Sequence, residues 1–450
     1  MTDRYFKSRV LTEQSAQTIA GSGHADRRIE PPIVFVRAEG NRLWDADGNT
    51  YTDFHAAFAA HLLGHNHPEV NAAVSHAMEQ GWSLMGSGAT EWEMQLAERL
   101  RAYVPSLERV QFTSSGNEAI AQAIRLSRAW TGRDDIIVTL GGYNGWNNDV
   151  APVMLPELTT IGPRVTNSEY APAPISAGIP ETLQRHVHLV NFNDAASVEA
   201  VLQRYPTACV ITEPVLHNCG VIPPQPGYLA ALRALCDRYG ALLVFDEVKS
   251  GFRSTLAGYQ SLVGVKPDLS VLCKNIANGF PLGVIGGRAS VMALLDSPDP
   301  SWSVRMMGSY HIHPFAAAAA IATLEILQRE DVALYQRLER LGNRLQTGLT
   351  MVFAELGITA TLSRVGTAFC VYFMDHAPVD WHDLMTHHNF DLDRVYRRAL
   401  IERGLYLFPQ PCRQGALSAA HTRTDITQLI EASRAILKGF CQPLRASSTK

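Results

Sequence analysis

One lysine stands in "CKNIANGFPLG", residues 273–283, a stretch otherwise made of small, apolar and amide residues that follows the apolar run "LSVL". A lysine at the end of a buried strand either lets its ammonium reach water or is a reactive amine kept where a ligand meets it. Three other stretches bear on that choice. "ALLVFDEVKSGF" puts Asp246 at the end of an apolar run with no basic residue directly beside it, so the carboxylate is either a buried helix cap or a partner for a cationic ligand atom. "SSGNEA" leads from a strand straight into a helix, where Ser114, Ser115, Gly116 and Asn117 serve as an ordinary N-cap or as an anion cradle at the positive helix end. "GGYNGW" lets the backbone turn closely and projects the flat ring of Tyr143. An amine (Lys274), a carboxylate (Asp246), an anion cradle and an aromatic plate together are what pyridoxal phosphate requires. Its aldehyde takes a lysine as an imine, its ring nitrogen stays protonated beside a carboxylate, and its phosphate needs amide donors.

These groups must be positioned by the elements that carry them. "RVQFT", "DIIVTL", "ACVITEP", "ALLVFDEV" and "LSVLCK" read as strands, and "NEAIAQAIRLSRAW" and "GYLAALRALCDRYG" as helices with apolar residues three and four apart. Their alternation predicts an α/β fold with a mostly parallel sheet covered on both faces, whose ligand site lies at the carboxyl ends of the strands. "GNRLWDADGNTYTDF" reads as a hairpin around an Asp-Gly-Asn turn, and "FCVYFM" and "GLYLFP" as further strands in a largely helical tail. Both termini are thus expected to build a smaller α+β domain, from residues 1–75 and 325–450, around a large domain of residues 76–324. The aperiodic, proline-rich residues 151–180 predict a long functional loop or lid.

Composition narrows the partners. The chain has 450 residues, 46% of them hydrophobic, enough for more than one core, and a net charge of −4 without a long basic run, which speaks against nucleic acid or an anionic membrane. The polar start and the absence of a run of about 18 apolar residues predict a cytoplasmic protein that does not span a membrane. Seven cysteines without a CxxC pair read as reduced thiols. The pairs His65 and His67, and His311 and His313, lack a third ligand at usual spacing and are each followed by proline, so no metal is expected.

From "LWDADGNTYTDF" and "GHNHPEV" through "SSGNEA", "IRLSRAWTGRDDII", "ALCDRYGALLVFDEV" and "NGFPLGVIGGR" to "LSAAHTRTDI", the order and spacing of motifs resemble the class III pyridoxal-phosphate aminotransferases of fold type I, most of all their glutamate-1-semialdehyde aminomutase branch. The resemblance implies that Ser115, Gly116 and Asn117 hold the phosphate, Tyr143 stacks on the ring, Asp246 pairs with the ring nitrogen and Val248 packs beneath it. Asn218, five residues after Glu213 in "TEPVLHN", matches an asparagine near the cofactor's phenolic oxygen, and Glu213 itself is assigned to the substrate side. Ser309 matches a threonine that reaches the phosphate of the neighbouring subunit, which implies a homodimer with shared active sites; "GWSLMGSGATEW", with Trp82 and Trp92, reads either as part of that interface or as ordinary core.

The implied activity is transfer of an amino group from a carboxylate-bearing or other primary amine donor to a keto acid, in ping-pong fashion through the pyridoxamine form. An intramolecular aminomutase or an amino acid racemase is the alternative, and a non-catalytic sensor is disfavoured by the retained lysine. The sequence departs from the family at Asn144, which stands where histidine is usual, at Leu216 and His217 in place of a glycine-containing turn, and at Arg413, which stands where the mutases carry an acidic residue. Arg413, with Arg27 or Arg28 as a second clamp and Phe58 on the apolar side, points to a carboxylate-bearing substrate such as a β- or other non-α-amino acid.

Overall fold

The computed structural model describes residues 3–21, 30–86, 88–151, 156–172, 174 and 176–446, without side chains beyond 440. The chain divides into two compact units, one of Met1–His67, Gln336–Ala377 and His388–Lys450, the other of Pro68–Tyr335 and Pro378–His387. The sequence reading puts the corresponding divisions after residues 75 and 324 and does not anticipate the excursion of residues 378–387 into the larger unit. That excursion is tied down within the larger unit by the Trp381 indole, which donates to the Pro156 carbonyl at 2.8 Å, and by Asp380, which accepts from Arg164. Residues 156–172 of the expected lid are therefore held to the body they follow; residues 152–155, 173 and 175 lie outside the described residues.

In the smaller unit, strands β1 (Phe35–Glu39), β2 (Arg42–Asp45) and β3 (Thr50–Asp53) form an antiparallel meander that contains the expected hairpin. The larger unit holds β4 (Arg109–Thr113), β5 (Asp135–Thr139), β6 (Val187–Val190), β7 (Thr207–Thr212), β8 (Leu242–Glu247), β9 (Leu269–Leu272) and β10 (Gly283–Gly287) in one sheet of order β4-β10-β9-β8-β7-β5-β6. Strands β5 to β9 pair in parallel, and their residues are buried throughout, as continuous Val/Ile/Leu runs covered on both faces require. β10 runs antiparallel to both neighbours and was not legible as a strand, because it reads "GVIGG". A β-carbon at Gly286 would come within 2.6 Å of Leu107 Cδ2 and 2.7 Å of the Arg109 carbonyl oxygen, so close approach of the chains selects glycine over a strand-forming residue.

The helix Gly116–Thr131 buries Ala119, Ile120, Ala123, Ile124 and Ser127 and ends at Gly132, whose φ of 64° is the left-handed cap that glycine adopts without strain. The helix Tyr228–Tyr239 buries Leu229, Leu232, Leu235 and Cys236 and closes in the same way at Gly240.

Back in the smaller unit, β11 (Thr361–Val365), β12 (Ala368–Tyr372) and β14 (Gly415–Ala416) make a second antiparallel sheet, while β13 (Leu405–Tyr406) joins β3 in parallel. Phe54, Leu345, Leu349, Phe369, Tyr396 and Leu429 belong to the core of this unit. No helix among the described residues is long and apolar enough to cross a membrane.

Candidate active site

The groups singled out in the larger unit stand at the carboxyl ends of neighbouring strands. Lys274 follows β9 and opens a short 3-10 turn with φ of 48°, a left-handed conformation that a residue with a β-carbon adopts only where its surroundings impose it. The next residue supplies the constraint: Asn275 is fully buried, accepts from Arg253 Nη2 at 3.0 Å and donates to the Gly251 carbonyl at 3.0 Å. The Lys274 ammonium has no hydrogen bond or ion pair among the described residues. Burial pushes its pKa down, against the opposing pull of the negative charges of Asp246 and Glu213. The result is an amine with access to its neutral, nucleophilic form.

Asp246, on β8, lies opposite Val271 of the adjacent parallel strand, three residues before Lys274. It is buried, accepting from the Asn144 side-chain amide at 2.8 Å on Oδ2 and from the Val248 backbone N–H at 3.0 Å on Oδ1. Neither donor carries charge. Burial first, and then the charge of Glu213, raise its pKa well above the usual carboxylate range. A protonated ring nitrogen is the kind of partner that reverses this penalty.

Glu213, just past β7, organises the next layer. Its Oε1 accepts from the Tyr143 backbone N–H at 2.9 Å and from Asn218 Nδ2 at 3.0 Å, and its Oε2 from the His217 N–H at 3.0 Å. With both oxygens engaged, Glu213 ties Tyr143, His217 and Asn218 together, whereas the sequence reading assigned it to the substrate side. His217 is buried with neither ring nitrogen hydrogen-bonded, and burial, with the nearby Arg253, Lys249 and Lys274 charges, keeps it neutral.

Ser115 caps the helix Gly116–Thr131, accepting from the Glu118 N–H at 3.3 Å, while Glu118 reaches back to the Ser114 N–H at 2.7 Å. The Asn117 side chain turns away to accept from the backbone N–H groups of Trp146 and Asn147 at 2.8 and 3.0 Å, leaving its own first-turn N–H as what it offers an anion. A β-carbon at Gly116 would lie 2.8 Å from Val248 Cγ2 and 3.6 Å from the Cys273 β-carbon, which brings the cradle, Val248 and the residue before Lys274 to one place. An unpartnered amine, a buried carboxylate without a cation and helix-end amides fit pyridoxal phosphate. The sequence reading missed the Asn144–Asp246 hydrogen bond, whose only signal was a departure from the family pattern at Asn144.

The remaining assignments fall on other segments. Ser309 is exposed and lines a cavity of about 230 Å³ with Ser83, Gly86, Thr90, Trp92 and His311; Trp82 stacks on Trp92 at 4.4 Å between centroids. Arg413 and Phe58 belong to the smaller unit. The Arg413 guanidinium donates to Gln410 Oε1 at 3.2 and 3.3 Å. Phe58 sits in a single left-handed turn, with φ of 49°, 51°, 56° and 66° along Ala56, Ala57, Phe58 and Ala59. Asp53 Oδ1 accepts from the His55 and Ala56 N–H groups at 2.8 and 3.0 Å, and the His55 ring accepts from the Phe58 N–H at 3.1 Å. Arg27 and Arg28 lie outside the described residues.

Comparison with known proteins agrees with this geometry. The family model for class III aminotransferases matches residues 24–409. An omega-transaminase from Sphaerobacter thermophilus is 28% identical with a TM-score of 0.85, the match covering 97% of this chain and 99% of that one. A β-phenylalanine aminotransferase from Variovorax paradoxus is 30% identical with a TM-score of 0.83, over 97% and 95% of the two chains. A glutamate-1-semialdehyde aminomutase from Pseudomonas aeruginosa is 26% identical with a TM-score of 0.80, over 90% and 87%. Agreement of this extent, on top of a site built for an amine-bound cofactor, makes the chain a member of the class III aminotransferases, enzymes that use pyridoxal phosphate to move amino groups.

Proposed function

We propose that this aminotransferase takes a carboxylate-bearing amino donor whose amine is not on the α carbon, with a keto acid as acceptor, and works as a cytosolic homodimer. Bound pyridoxal phosphate supplies an aldehyde and an electron-accepting ring. Lys274 provides the amine that anchors the aldehyde and afterwards carries the proton to and from the substrate carbon; Asp246 keeps the ring nitrogen protonated. Tyr143 and Val248 would hold the cofactor ring, Asn218 would serve its phenolic oxygen, and Ser115, Gly116 and Asn117 would receive its phosphate.

The observation that carries the reading is the Lys274 amine, without a polar partner among the described residues, just past the strand that pairs with the one bearing a buried Asp246 without a cationic partner. The substrate class rests on Arg413, whose fork of donors suits a carboxylate, with Arg27 or Arg28 and Phe58 as further contacts, and it accords with a 30% identical relative named for β-phenylalanine. The dimer rests on Ser309 and on the exposure of Trp302, Met307 and Tyr310 around it, at 52%, 82% and 66%.

A panel of α-, β- and ω-amino acids and neutral amines, added one at a time without acceptor, tests the function. A β- or ω-amino acid should bleach the visible cofactor band stoichiometrically, and a keto acid should restore it. Turnover of a single compound with no acceptor would move the assignment to the aminomutase or racemase alternative, which the 26% identical aminomutase keeps in view.

A further inference from the structure

Behind the catalytic carboxylate lie two polar atoms that the fold leaves unsatisfied. Asn144 is buried, and while its Nδ2 donates to Asp246 Oδ2 at 2.8 Å, its Oδ1 has no partner among the described residues. Thr139, the fully buried last residue of β5, likewise has an unpartnered hydroxyl. Both face the missing side chain of Gly142: a β-carbon built there would lie 3.3 Å from Thr139 Oγ1 and 3.6 Å from Asn144 Oδ1. Buried polar atoms left unsatisfied are costly, and two of them gathered around one glycine are the usual setting of an ordered water.

We propose that Asn144 is a positioning residue for Asp246, fixing the orientation and charge of that carboxylate through its amide N–H, while a buried water shared with the Thr139 hydroxyl fixes the amide itself. The proposal rests on the reading that Asp246 faces the cofactor's ring nitrogen. Among the described residues Asp246 receives two hydrogen bonds, both from neutral donors, so losing one leaves a single hydrogen bond to stabilise its anionic form against burial. The charged groups that act on Asp246 are Glu213, which opposes its ionisation, and Lys274, which favours it; neither changes when Asn144 is replaced. A neutral amide at this position adds no ionisation of its own, so the ring-nitrogen proton is held without a second titration in the neutral range. A histidine would donate equally well and would introduce one.

The test is the ¹⁵N chemical shift of ring-labelled pyridoxal phosphate in the holoenzyme between pH 6 and 9, with cofactor affinity and steady-state kinetics alongside. Asn144→Ala should move the shift towards that of the unprotonated ring, raise the cofactor dissociation constant about tenfold and lower kcat about tenfold with little change in donor KM, as loss of one hydrogen bond to a charged group implies. Thr139→Val, which keeps the shape and removes the hydroxyl, should shift the resonance in the same direction by less. Asn144→His should restore the protonated shift and add a pH-dependent step near the histidine range. Asp246→Asn separates the two ideas. If it moves the resonance and Asn144→Ala does not, the positioning role is wrong and the Asp246 reading stands. If neither moves it, the Asp246 reading fails as well. A silent Thr139→Val overturns the water bridge, and loss of soluble Asn144→Ala protein leaves Asn144→His and Thr139→Val to decide.

Discussion

The Glu213 carboxylate accepts the backbone N–H of Tyr143 at 2.9 Å, across 70 residues of sequence, so the strand-end acid after β7 sets the height of the aromatic plate after β5. The same carboxylate holds Asn218 and the His217 N–H, which makes three donors on two oxygens. Glu213→Gln turns one of those acceptors into an amide donor facing an N–H. It should cost about 1–3 kcal/mol of stability and lower cofactor affinity. Calorimetric melting and cofactor titration check this, and wild-type values in both would return Glu213 to the substrate side.

Lys274→Ala should abolish turnover and the visible absorbance of the bound cofactor. Because the amine has no polar partner among the described residues, its removal should leave the melting temperature of the cofactor-free enzyme unchanged or slightly higher at pH 7. A yellow, active variant would refute the assignment; a strongly destabilised one would show that the amine is structural.

Asp246 carries a pH signature. Its pKa in the folded chain is raised, so between the ordinary carboxylate range and that raised value the folded state holds a proton that the unfolded state has released. Stability of the cofactor-free enzyme therefore falls as pH rises through that window. Asp246→Asn, with Asn144 turning its amide to accept, should melt higher than the wild type at pH 8 and equally at pH 4, while the holoenzyme loses most of its rate. A thermal-shift series over pH measures this, and a variant less stable than wild type throughout would count against the sign.

Arg413→Ala should weaken carboxylate-bearing donors by about 1.5–3 kcal/mol in kcat/KM, as for hydrogen bonds to a charged group, and spare neutral amines. Equal losses on both kinds of substrate, or none on either, would count against the clamp and leave Arg413 a structural residue that donates to Gln410.

The shared-site arrangement predicts a dimer by sedimentation under assay conditions. Ser309→Ala should raise the cofactor dissociation constant severalfold without dissociating that dimer. An active monomer would end the idea.

Much of the larger unit was legible because burial on both faces makes strands β5, β7, β8 and β9 rich in apolar and β-branched residues, and because an aspartate near the end of β8 and a lysine just past β9 interrupt that pattern. What escaped was fixed by contacts remote in sequence. β10 is glycine-rich because neighbouring backbone crowds it, which erases the usual strand signal. Trp381, in the segment that returns to the larger unit, meets a carbonyl 225 residues away, and Asn144 meets Asp246 across 102 residues. The turn at Ala56–Ala59 escaped for a different reason: alanine carries no mark of positive φ, and the Asp53 and His55 acceptors, with the turn's own backbone hydrogen bonds, support that conformation.

That turn reverses a familiar rule of protein engineering. Glycine in place of a helical alanine ordinarily destabilises by about 1 kcal/mol, but each non-glycine residue in a left-handed turn carries a penalty of about 1–2 kcal/mol that glycine does not. Ala57→Gly is thus a stabilising exchange on local grounds, and selection for heat resistance would drift towards it. The same exchange frees the backbone beside Phe58, whose ring packs at 4.4 Å from His55 and 5.1 Å from Phe408. Breeding for durability and breeding for a fixed aromatic wall would pull this segment in opposite directions, so the alanines are a record of which demand has prevailed.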